Sequence, residues 1–138
     1  MATRLPKAYK PTEDESFMNA RQREYFRRKL LEWRDELIRE STQTLQHLQQ
    51  DSLQEADLAD RASVESERSL ELRTRDRERK LIAKIDEALG RIQDGSYGFC
   101  EETGEPISLS RLDARPIATL TIEAQERHEM RERTYRDD

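Results

Sequence analysis

One cysteine stands in 138 residues, at position 100, so no intramolecular disulfide can form, and a single thiol says little about compartment. No apolar run approaches about 18 residues and no signal-peptide pattern is present, which together point to a soluble, unexported chain. Hydrophobic residues are scarce at 33%, against 40% charged, and that excludes a thick globular core. The composition is not that of a disordered chain either, because the apolar residues recur at helical spacing. Four scattered glycines leave no phosphate-cradling loop. The net charge of −5, from 25 basic and 30 acidic side chains, makes free duplex DNA a poor default partner.

What is present is a pattern of long helices with one narrow buried stripe. Residues 1–15 carry Pro6 and Pro11 without periodicity and read as a mobile N-terminal arm. From about Ser16 to Gln50 there is neither Gly nor Pro. Phe26, Leu30, Trp33 and Leu37 recur at four, three and four, the seam of a helix packed on one partner. Leu31, Ile38 and Leu45 form a neighbouring stripe. Residues 51–62 break the pattern with Asp51, Glu55, Asp57 and Asp60, and read as a loop in which Asp57 or Asp60 can cap the next helix. A second helix runs from about Asp60 to Gln93, with Leu81, Ile82, Ile85, Leu89 and Ile92 as a clear stripe. Val64, Leu70 and Leu72 are a thinner one, and Gly95 is the stop.

These elements predict a mainly α fold: an antiparallel coiled-coil hairpin over 16–95 with its tip at 51–62, followed by a small globular region over 96–138. The base of the hairpin joins that region, and the tip half has little to bury. Phe99, Ile107, Leu112, Ile117, Leu120 and Ile122 are its expected packing residues. "YGFCEETGEPI" suggests a short hairpin, and Thr121 a cap for a final helix from about Ile122.

Catalytic and metal chemistry find little footing. A zinc site needs about four Cys, His or carboxylate ligands. Cys100, His128 and two glutamates can be assembled into one only by force, and His47 lies far along the first helix. No third group orients a Cys–His pair, so the chain does not read as an enzyme. Asp57 and Asp60 are a solvated cap on the plain reading. On the sharper one they are carboxylates delivered by the hairpin to a narrow site in a partner. "RTRDRERK" (73–80) is a solvated face or a partner surface.

Three stretches carry a resemblance. Asp57-x-x-Asp60-Arg61-Ala62, "LELRTRDRERKLI" (70–82) and "RLDARP" (111–116) resemble, in register, the DksA family of bacterial transcription factors, over about Phe26 to Gln125. The resemblance implies a monomeric cytoplasmic regulator that enters the secondary channel of RNA polymerase. It would act with the nucleotide ppGpp, repress ribosomal RNA promoters and favour some biosynthetic ones. Asp57, Asp60 and Ala62 match the family's active tip, and Arg77 a position that grips the polymerase rim. Lys84 and Arg115 match basic positions of the ppGpp site, and Gln125 stands where a lysine is usual. The family's four zinc cysteines fall here on Cys100, Thr103, Thr121 and Ala124. That pattern resembles the zinc-independent paralogues, so a folded, metal-free, finger-like knob is expected. A structural coiled-coil adaptor and a transcript-cleavage factor of the same channel are the alternatives.

Overall fold

The structure is a computed structural model that describes residues 3–53 and 58–136, with the side chains of 48–53, 58–62 and 136 left aside. Among the described residues there are four helices: α1 (Ala20–Leu53), α2 (Leu58–Asp94), α3 (Leu109–Ala114) and α4 (Ile122–Arg136). Among the described residues the only β-pairing is an isolated antiparallel bridge between Phe99 and Pro106. The fold is thus mainly α, as the periodicity predicts. It divides into two compact units, residues 1–30 with 87–138, and residues 31–86, the divisions falling inside α1 and α2.

In the first unit the core gathers Met18, Phe26, Leu30, Ala88, Ile92, Tyr97, Ile107, Leu112, Ile117, Ala118 and Ala124. Each fully covered large side chain here contributes ~1.5–3 kcal/mol by leaving water. Phe26 packs on Tyr97 with ring centroids 5.6 Å apart, and the Tyr97 hydroxyl donates to the Pro116 carbonyl at 2.8 Å. Two residues expected in this core lie outside it: Phe99 is 40% and Ile122 49% exposed. The short hairpin turns Cys100 inward and therefore Phe99 outward. Ile122 opens α4 and stays half in solvent.

α1 begins at Ala20, four residues later than the spacing suggests. Asn19 is its cap, with Oδ1 accepting from Gln22 N at 2.9 Å. Before it, Met18 sits at φ 52, a left-handed conformation costly for a side-chain-bearing residue. The arm read from the sequence over 1–15 lies, from Thr3 onward, back along α1. Arg28 Nη2 donates to Thr3 O at 3.3 Å, Tyr9 and Tyr25 pack edge-on at 6.2 Å, and Gln22 Nε2 donates to Thr12 O at 3.3 Å. Glu15 Oε2 accepts from Tyr9 OH at 2.6 Å, and from Asn19 Nδ2 and Gln22 Nε2 at 3.3 Å each. The Tyr9 hydroxyl leads the donors that hold this carboxyl below its ordinary pKa. These contacts order the arm antiparallel to the first turns of α1.

In the second unit the two helices pair antiparallel. Arg34 meets Asp86 at 3.2 Å, and further along α1 His47 meets Glu71, further back along α2, at 3.3 Å. Leu37 and Ile85 are buried. The covered positions of α2 recur at fours and threes, at 64, 68, 71, 75, 78, 82 and 85, with 74 and 81 beside them. Most of the distal seam is therefore polar: Arg68, Glu71, Arg75 and Glu78 are the covered residues of α2 along it, and Ser41 and Thr44 are half-buried on α1. Ile38, Leu45, Leu70 and Leu72, read from the sequence as apolar stripes, are 36–64% exposed. From Ile85 back toward Val64 the covered row runs through charged residues.

Candidate functional site

The finger-like knob starts where α2 stops. Gly95, at φ 88, allows the N–H groups of Gly95, Ser96 and Tyr97 to converge on Arg91 O at 2.9, 3.0 and 3.1 Å. The hairpin that follows is held by Ile107 N to Gly98 O at 2.7 Å, Cys100 N to Glu105 O at 2.8 Å and Gly104 N to Cys100 O at 2.8 Å. Glu101 N donates to Thr119 O at 2.9 Å and so joins the hairpin to the segment before α4. Gly98 has φ 90, and a Cβ there would stand 3.2 Å from Met18 and from Phe17. The Phe17 ring also meets Phe99 edge-on at 5.3 Å. The arm thus clasps the hairpin at Gly98, a position without a side chain.

The four positions Cys100, Thr103, Thr121 and Ala124 come together at the junction of hairpin and α4. Cys100, Thr121 and Ala124 are buried. Thr121 Oγ1 accepts from Ala124 N at 3.2 Å, capping α4, and lies 3.9 Å from Cys100 Sγ as its hydrogen-bond donor. Thr103 Oγ1 accepts from Glu105 N at 3.2 Å. Burial pushes the Cys100 thiol up, but the Thr103 hydroxyl and the backbone N–H groups of Thr121, Thr103 and Glu102 outweigh it. The thiol is held at about 7, below its ordinary 9.0.

The donor set does not fit zinc. One thiol is present, both threonine hydroxyls are engaged in local hydrogen bonds, and Ala124 has nothing to coordinate with. His128 turns to Glu102 at 4.0 Å and Glu132 at 3.2 Å. Among the described residues no group of three or more His, Cys, Asp or Glu is placed to hold a metal ion.

The remaining sequence-derived positions are distributed over both units. Asp57 lies outside the described residues, and Asp60 and Ala62 lie within α2 with their side chains undescribed. Arg77 and Lys84 are exposed on α2 in the second unit. Arg115 is exposed in the first unit, ending α3 with its N–H on Arg111 O at 2.7 Å. Gln125, half-buried on α4, donates to Glu129 Oε1 at 3.1 Å.

Sequence reasoning missed a polar cluster beside the knob. Asp113 Oδ1 accepts from Lys29 Nζ at 2.7 Å and from Tyr25 OH at 2.6 Å. Lys29 and then Tyr25 hold the Asp113 carboxyl low, while burial and the Asp113 bond push the Tyr25 phenol up to about 12. The cluster pins the acid of "RLDARP" to α1. Its signal was that acid, set among residues of the opposite sign.

Comparison with known proteins places this architecture. Residues 22–92 match the family described as DnaK suppressor protein DksA, N-terminal domain, and residues 95–129 match the prokaryotic dksA/traR C4-type zinc finger. The chain belongs to the DksA family. It is 67% identical to the RNA polymerase-binding transcription factor DksA of Caulobacter vibrioides, over 94% of this chain and 92% of that protein. Identity to the Escherichia coli K12 protein of the same name is 44%, over 91% of this chain and 83% of that one. Among solved structures it is similar to transcription factor DksA2 from Pseudomonas aeruginosa. That match has TM-score 0.79 and 50% identity, and covers 85% of this chain and 90% of that one. No described helix is long and apolar enough to cross a membrane.

Proposed function

We propose that this chain is a transcription regulator that binds RNA polymerase, entering by the secondary channel and destabilising open complexes, and that it is not itself an enzyme. The observation that supports this most is the continuity of the family match through both units, with relatives named for polymerase binding on both sides of 50% identity. In this reading Asp57, Asp60 and Ala62 work at the tip, near the polymerase active centre, and Arg77 grips the rim. Lys84 and Arg115 contact ppGpp at the interface with polymerase, so that the factor represses ribosomal RNA promoters and favours some biosynthetic ones in the stringent response. The protein acts as a cytoplasmic monomer.

We further propose that it works without zinc. The Thr121 bridge, the buried Ala124 and the packed Tyr97, Ile107 and Leu112 support that reading, because they hold the hairpin to α4 without a metal.

The test is in vitro transcription from a ribosomal RNA promoter with cognate polymerase, with and without ppGpp, in chelator. Repression deepened by ppGpp is the expected result. Repression without synergy removes the ppGpp assignment and points to Gln125. A folded protein without effect returns the reading to a coiled-coil adaptor, and cleavage of a backtracked transcript to a cleavage factor.

A further inference from the structure

Arg115 is an exposed side chain on an immobilised backbone. It ends α3 in extended conformation, at φ −139 and ψ 85. Its own N–H donates to Arg111 O at 2.7 Å, and its carbonyl accepts from Ala118 N at 3.0 Å. Pro116, the next residue, is buried, keeps Arg115 out of the helical region and accepts from the Tyr97 hydroxyl at 2.8 Å. The guanidinium has no ion pair among the described residues.

The turn before it is secured from outside. α3 has six residues, too few to hold together on its own hydrogen bonds. Ser108 caps its start, Leu112 is buried, and Arg111 Nε donates to Leu120 O at 2.9 Å. Asp113, near its end, does not serve the helix itself, because a carboxylate there meets the negative end of the helix dipole. What it serves is a contact with α1. Asp113 Oδ1 accepts from Lys29 Nζ at 2.7 Å and from Tyr25 OH at 2.6 Å, partners 84 and 88 residues away in sequence. Those two donors are themselves held. Tyr25 packs edge-on to Tyr9 at 6.2 Å and to Phe26 at 5.2 Å, and Lys29 Nζ lies 5.8 Å from the Tyr25 ring centroid. The three side chains close a triangle between α1 and the end of α3, immediately ahead of Ala114 and Arg115.

We infer that Tyr25, Lys29 and Asp113 are positioning residues, which fix the end of α3 to α1 and so aim Arg115 at the phosphates of ppGpp. The inference rests on the reading that Arg115 contacts that nucleotide, and adds what holds the arginine in place. An arginine ordered only when its ligand arrives gives up affinity to that ordering, and one mounted on a fixed backbone gives up less. A fixed mount suits a phosphate in particular, since the guanidinium answers it through two parallel N–H bonds of defined direction. None of the three need touch the nucleotide; they act through the backbone that carries Arg115.

The test measures labelled ppGpp bound to the complex of the full chain with cognate polymerase, above that bound by polymerase alone. Polymerase affinity without ppGpp is the second readout. Arg115→Ala should weaken ppGpp binding the most. Tyr25→Phe, which retains the ring that packs on Phe26, Lys29→Gln and Asp113→Asn should each raise the half-saturating ppGpp concentration about 3- to 10-fold. All three should keep the parent's affinity for polymerase. In the Arg115→Ala background, Asp113→Asn should shift nothing further. The inference is overturned if the three variants bind ppGpp as the parent does while Arg115→Ala is weakened. It is equally overturned if Asp113→Asn shifts binding by the same factor in both backgrounds, or lowers polymerase affinity in step, since the cluster would then serve the fold at large. Parent-like binding by Arg115→Ala is a separate failure, which takes Arg115 out of the ppGpp site and removes the premise.

Discussion

Thr121 hydrogen-bonds to Cys100 through the same hydroxyl that caps α4: its Oγ1 lies 3.9 Å from Cys100 Sγ and 3.2 Å from Ala124 N. One residue therefore joins the first arm of the finger to the helix that closes it, a task that ligand bonds to a shared ion perform in a metal finger. Thr121→Ala removes both connections. It should cost about 1 kcal/mol from the cap and a further fraction from the buried sulfur contact. Denaturant titration with and without chelator checks this: the variant should be weaker than the parent by the same margin in both.

The Cys100 thiol gives a pH dependence with a defined sign. Its folded pKa, about 7, lies below the ordinary 9.0, so folding favours the thiolate. The contribution is fully present above the unfolded value and is lost as pH falls through about 7. Tm of the parent should therefore rise relative to Cys100→Ser between about pH 6 and 9. Parallel curves would remove the hydrogen-bonded thiolate.

Gly98 is the seat of the clasp by Phe17 and Met18. Gly98→Ala places a Cβ 3.2 Å from both side chains and at φ 90, so it should destabilise by about 1–2 kcal/mol. Amide exchange should quicken in residues 15–19 and 97–107 together. Exchange that quickens in the hairpin alone would separate the arm from the finger.

Glu78 is 8% exposed, and its Oε2 is buried with no hydrogen-bond partner among the described residues. A buried acceptor left unmet costs about 1–3 kcal/mol, so Glu78→Leu should raise the stability of the helical pair by an amount in that range. Chemical denaturation reads it, and a loss of stability would show that the carboxylate is answered in solution.

For the tip, Asp57→Asn/Asp60→Asn should leave polymerase binding intact and abolish the promoter effect. Affinity measured by co-sedimentation and open-complex lifetime measured on a ribosomal promoter separate the two. Unchanged lifetimes would reduce these residues to a helix cap.

Local chemistry was legible wherever it acts locally. Gly95 ends α2, Thr121 caps α4, and the Gly-Glu-Pro turn opens the second arm of the hairpin as its residues require. The start of α1 was written locally and passed over: Asn19 and Gln22 have the capping-box spacing, with Asn19 Oδ1 accepting from Gln22 N at 2.9 Å and Gln22 Oε1 accepting from Met18 N at 2.7 Å. The distal seam was misread. Ile38 and Leu45 keep heptad spacing and Leu70 and Leu72 do not, yet all four are exposed, while Arg75 is half-buried and Glu78 buried in the row that ends at Ile85. At the four finger positions a missing cysteine was obvious from the sequence. That Thr121 would take up both a cap and a sulfur contact required the fold.

A helix that places Arg68, Glu71, Arg75 and Glu78 at heptad core positions is closed to strangers. An ordinary leucine-lined helix would have to strip water from each of those charges against an apolar knob and return nothing for it. The small, polar Ser41 and Thr44 make α1 a tolerant companion. A leucine-lined helix is therefore a poor substitute for α1 along this stretch of α2.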